Sequence, residues 1–61
     1  MSLAYQIIST LIFTKATGDK LETATNVLNE LYDMKKSKRM PFLAIRRAIK
    51  IQESIVKDLK K

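Results

Sequence analysis

Apolar residues recur along this chain in three stretches with different rhythms. From Lys20 to Lys36, Leu21, Ala24, Leu28, Leu31 and Lys35 follow helical spacing, and Val27, Tyr32 and Met34 join them on the same side. Glu22, Asn26, Asn29, Glu30 and Asp33 fall on the opposite, acidic side. From Pro41 to Lys60 the apolar stripe is Ile45, Ala48, Ile49, Ile55, Val56 and Leu59, flanked by Ala44 and Ile51 and led by Phe42. Gln52 lies inside that stripe. Leu3 to Ala16 is apolar over more than half of a helical circumference, through Leu3, Ala4, Tyr5, Ile7, Ile8, Leu11 and Ile12. Its β-branched run Ile7–Thr14 also suits a strand, but the chain has no second strand for it to pair with. The expected fold is all-α: one domain over residues 1–61, with helices at 3–16, 20–36 and 41–60 packed as a small bundle.

Two punctuation points separate the helices. At Thr17-Gly18-Asp19, Gly18 suits a left-handed helix stop. Asp19 suits an N-cap, because its carboxylate accepts the orphan amides of a first turn. Glu22, three residues on, completes a capping-box pattern. At Ser37-Lys38-Arg39-Met40-Pro41, Pro41 keeps Met40 out of the helical region and is preorganised for the first position of a new helix. Met34, Met40 and Phe42 bracket this link and are expected to staple the two helices together. Gln52 is expected to reach the edge of its stripe towards water, the alternative being a buried bond that sets register.

Size and composition then narrow the picture. A chain of 61 residues buries only ~60% of the surface that its unfolded form exposes, so its core is marginal. With no Cys and no His, disulfides, zinc-finger sites and the usual transition-metal ligand are unavailable. No metal or other cofactor is expected. Self-association is the remaining common route to stability, with a dimer favoured. The uncharged first segment is its natural interface, through Leu3, Ile7, Ile8, Leu11 and Ile12. Enzymatic activity is not expected: there is no Cys–His or Ser–His–Asp set, the six acids are scattered, and one Gly builds no phosphate loop. Residues 1–14 lack a basic leader and a cleavage pattern, and they are too few to span a bilayer. Absence of cysteine fits a reducing, cytoplasmic compartment.

The net charge of +6 is unevenly placed. Residues 1–34 hold two bases and four acids, a net of −2; residues 35–61 hold ten bases and two acids, a net of +8. Such asymmetry points to an anionic partner. The candidate contact residues are the cluster Lys35, Lys36, Lys38 and Arg39 with the helical face Arg46, Arg47, Lys50 and Lys57. Cations this close release condensed counterions from a nucleic acid, giving salt-dependent affinity. The plainer reading of each group is a solvated loop and a solvated helix face, with Glu53 and Asp58 diluting the field. Together the two groups exceed what solubility needs. The expected function is a small non-enzymatic regulator that binds nucleic acid. The alternative is an adaptor or inhibitor whose basic surface meets an acidic protein. A membrane surface ranks last, because the apolar face is Ile, Val and Ala without Trp.

The order of segments resembles the ribbon-helix-helix family of dimeric DNA-binding proteins. In that resemblance Ile8–Thr14 is the strand, Lys20–Met34 the first helix and Pro41–Lys60 the second, opening with Leu43-Ala44-Ile45-Arg46-Arg47-Ala48-Ile49. It implies a strand paired across a two-fold axis, with side chains reaching DNA bases. Both faces of Ile8–Thr14 are apolar here, and Lys35–Met40 replaces the family's tight turn, so the bundle is the primary expectation.

Overall fold

A computed structural model describes residues 2–61. Three helices form: α1 (Leu3–Lys15), α2 (Lys20–Lys36) and α3 (Phe42–Leu59). Among the described residues there is no strand. The β-branched run of the first segment is helical, and its threonines are accommodated there. Thr10 Oγ1 donates to the Gln6 carbonyl at 2.9 Å and Thr14 Oγ1 to the Leu11 carbonyl at 3.1 Å, so both hydroxyls are satisfied along the helix itself.

The α1–α2 link behaves only partly as expected. Asp19 caps α2, accepting from the Leu21 amide at 2.8 Å and the Glu22 amide at 3.2 Å. The return half of the capping box is not made by Glu22; the Asp19 amide donates to Thr17 Oγ1 at 3.1 Å instead. Gly18 does not take a left-handed conformation. α1 ends because Ala16 turns extended (φ −58°, ψ 132°), and the Thr17 amide then finds Thr23 Oγ1 at 2.9 Å. A side chain from the next helix does the work expected of the glycine.

The α2–α3 link is a Schellman stop. The Arg39 amide donates to the Met34 carbonyl and the Lys38 amide to the Lys35 carbonyl, both at 3.0 Å. Lys38 is the left-handed residue, with φ of 54°. The Met40–Pro41 peptide bond is cis, and Pro41 precedes α3 as its N-cap instead of opening it.

α2 runs back along α1: Met34 sits beside Leu11 and Ile7, and Lys15 pairs with Glu30 at 3.9 Å. α3 runs in the same sense as α1, with Ala44 and Arg47 near Ala4, and Ile55 and Leu59 near Ile12 and Ala16. Ala4 and Ile8 of α1, Val27 and Leu31 of α2, and Ile45, Ala48 and Ile49 of α3 form the buried core. Ile8 is therefore spent inside the monomer, and Ile7 and Leu11 are half-buried against the core. Of the α1 residues expected at an oligomer interface, Leu3 and Ile12 keep an exposed face, and Tyr5 and Phe13 add to it. Met34 packs against the core as expected and Phe42 is half-buried, but Met40 is 82% exposed and staples nothing.

Gln52 does not reach for water. It is fully buried, and its Nε2 donates to the Ala24 carbonyl at 3.0 Å, tying α3 to α2. Its Oε1 is buried without a donor, a state that costs about 1–3 kcal/mol.

Two substitutions test this packing by chemical denaturation followed by circular dichroism. Asp19→Ala is expected to cost about 1 kcal/mol through loss of the α2 cap. Ile45→Ala is expected to cost about 2–5 kcal/mol, enough to unfold much of the population of a domain this small.

Candidate nucleic-acid interface

The helical spacing of α3 separates its two faces cleanly. Ile45, Ala48, Ile49, Gln52 and Val56 turn inward, which forces Arg46, Arg47, Lys50 and Lys57 outward. All four are exposed, as are Lys35, Lys36, Lys38 and Arg39 of the preceding link. Within the described residues the ion pairs are Lys15–Glu30 and Lys61–Asp58, so none of these eight cations is neutralised by a neighbouring carboxylate.

The fold gathers most of them at one end. The N-terminus of α1, the α2–α3 link and the first half of α3 lie together there. Arg46, Arg47 and Lys50 line a depression of about 460 Å³ whose other walls are Ser2, Ala4, Leu43 and Ala44. The opening turn of α1 thus faces the same hollow as three cations. A helix N-terminus carries partial positive charge, which adds to the attraction of Arg46, Arg47 and Lys50 for an anion, although the Tyr5 amide is already capped by Ser2 Oγ at 3.4 Å. Sequence reasoning missed the contribution of α1, because no local signal places Ser2 beside Lys50.

The link cluster is less uniform than its sequence suggests. Arg39 shares a shallow depression with Glu30, Asp33, Met34 and Ser37, so two acids of α2 temper its field. Lys57 stands apart near the far end of α3, beside Tyr32, Glu53 and Lys60. The strongest continuous field therefore comes from Arg46, Arg47 and Lys50, with Lys35, Lys36 and Lys38 at the same end.

Glu53, the acid expected to dilute the basic face, lies beside Lys57 and Lys60 and also takes part in a tie between helices. The Tyr32 hydroxyl donates to Glu53 Oε2 at 2.6 Å, bridging α2 and α3. The bond raises the Tyr32 phenol above its ordinary pKa of 10.0, helped by desolvation and by the Glu53 charge. Among the described residues, no three acidic side chains gather into a metal-binding group, and no helix is long and apolar enough to cross a membrane.

Lys38 is the unusual member of the cluster. Its left-handed backbone (φ 54°) is the position of a Schellman stop where glycine avoids a steric penalty. A lysine there accepts that penalty and places a cation at the tip of the link.

No family model, curated protein or solved structure matches this chain. The reading of the site rests on its own geometry.

Two measurements follow. Lys38→Gly is expected to stabilise the fold by about 1 kcal/mol, read as a higher denaturant midpoint, while weakening any anion binding at the link. The Tyr32–Glu53 bond should stabilise the folded state below pH 10, where the phenol is protonated in both folded and unfolded chains. That contribution fades as pH rises through the raised folded-state pKa, because the unfolded chain then releases the proton more readily. Tyr32→Phe should flatten this alkaline loss in a pH series of thermal melts.

Proposed function

We propose that this protein is a small, non-enzymatic nucleic-acid-binding regulator of the cytoplasm. Its contact surface is the basic end of the bundle: Arg46, Arg47 and Lys50 around the depression by the α1 N-terminus, with Lys35, Lys36, Lys38 and Arg39 on the adjoining link. The observation that carries this reading is the set of eight unpaired, exposed cations, most of them gathered by the fold at one end. Binding of this kind is dominated by phosphate contacts and counterion release, and carries little sequence preference. The cation at the strained Lys38 position adds weight, since backbone strain concentrates at functional sites. Self-association, a dimer in the first instance, is supported by the apolar side chains that α1 leaves exposed, Phe13 at 87% foremost.

One observation favours a second reading. Leu43 is 73% exposed in the midst of the basic residues, and Met40 is more exposed still. Apolar side chains ringed by cations suit an acidic protein with a greasy centre, as an adaptor or inhibitor would meet.

A salt titration on random-sequence duplex and on single-stranded DNA separates the two. The nucleic-acid reading expects binding at ~50 mM salt that weakens log-linearly with salt, and a slope reduced by roughly 2–3 in a variant combining Arg46→Ala, Arg47→Ala and Lys50→Ala. Failure to bind either DNA at low salt would reject it in favour of a protein partner.

A further inference from the structure

At the end of the molecule away from the basic surface, a second hollow opens between all three helices. It has a volume of about 580 Å³ and is bounded by Ile12 of α1, Ala16 to Gly18 of the link, Thr23 and Ala24 of α2, and Gln52, Ile55 and Leu59 of α3. Two features set it apart from an ordinary surface dip. Ile12, Ile55 and Leu59 stay 41%, 37% and 39% exposed around it, although Ile55 and Leu59 belong to the apolar stripe of α3 and would be expected in the core. The second feature is Gln52, the amide on its floor. Its Nε2 is used by the Ala24 carbonyl, and its Oε1 has no donor. It is the one buried side-chain polar atom among the described residues left unpaired. Buried polar atoms are nearly always paired, so a specific exception calls for a missing partner.

We propose that this groove is a binding site for a small, mostly apolar molecule carrying a single N–H or O–H donor, which it directs to Gln52 Oε1. The volume falls in the range of small-molecule sites, which combine apolar walls with a few placed polar groups. The aliphatic walls take the body of the ligand, and the orphan acceptor selects its donor. A donor is required because Oε1 can only accept; of the two Nε2 hydrogens, one is bonded to the Ala24 carbonyl. Lys20 at the mouth is exposed and in no ion pair, so neutral or anionic molecules are admitted in preference to cations. At Gly18 an added Cβ meets nothing within 4 Å, which leaves the entrance clear on the link side. The Oε1 atom is sealed from solvent at rest, so a donor reaches it only when side chains of the groove shift. The site is separate from the basic end, and either can exist without the other.

The test uses the full chain and a matched pair of probes, indole and benzothiophene, which are alike in shape and differ in the N–H donor. Two-dimensional amide NMR titrations are expected to show indole shifting Ile12, Thr23, Ile55, Leu59 and the Gln52 side-chain amide. Indole should bind about threefold to tenfold more tightly than benzothiophene. Gln52→Met should bring the two affinities together, and Leu59→Lys at the rim should weaken both. The wild-type comparison is decisive even if the Gln52 variant does not fold. Equal affinities for the two probes would overturn the role of Gln52, and shifts absent from the groove or spread over the whole surface would overturn the site. Groove signals that move with protein concentration alone, and that indole fails to compete, would assign the groove to a second copy of the chain and also end the proposal.

Discussion

Seven buried apolar residues, contributed by all three helices, form the continuous core of this molecule. Val27, Leu31 and Ile45 sit at its centre without exposed surface, and two of the seven are alanines. Burial on this scale leaves little surplus, since a domain of this length shields only a modest share of its surface. Each helix must therefore turn its best apolar edge inward and leave everything else outside. That necessity orients α3, and with α3 it orients the cations. It also leaves Phe13, Ile12, Ile55 and Leu59 without full cover, because three helices of this length cannot enclose them all.

The polar side chain buried most deeply among the described residues follows from the same shortage. Gln52 occupies a stripe position where a leucine would be unremarkable, and it uses its amide to reach the Ala24 carbonyl across the helix pair. A directional bond in a thin core specifies how α3 sits on α2 more sharply than apolar contact does. The Tyr32–Glu53 bond makes a second, exposed tie between the same helices. That tie fixes the Glu53 carboxylate beside Lys57 and Lys60, away from Arg46, Arg47 and Lys50.

The three helices and nearly all of their boundaries were legible in the sequence, because periodicity and caps are local properties. Asp19 caps α2 as its carboxylate and position dictate. The exposed basic face was legible for the same reason: once Ile45, Ala48 and Ile49 point inward, Arg46, Arg47 and Lys50 cannot. What misled were residues whose roles depend on a distant partner. Gly18 looked like a left-handed stop, yet Thr23 supplied the hydrogen bond that ends α1 differently. Lys38, with nothing in its side chain to announce it, took the left-handed role. Ile8 looked like interface and proved to be core, because α1 lies against both other helices.

The sequence by itself determined the helical class, the segment limits and the division into a slightly acidic front and a basic back, since each depends on spacing and charge within a few residues. Tertiary structure decided which apolar residues are enclosed and which are left over, that the opening turn of α1 joins Arg46, Arg47 and Lys50 around one hollow, and that Gln52 is sealed inside with an unused acceptor. Those outcomes depend on how three helices divide a limited interior. That division is a property of the whole packing, and no local pattern encodes it.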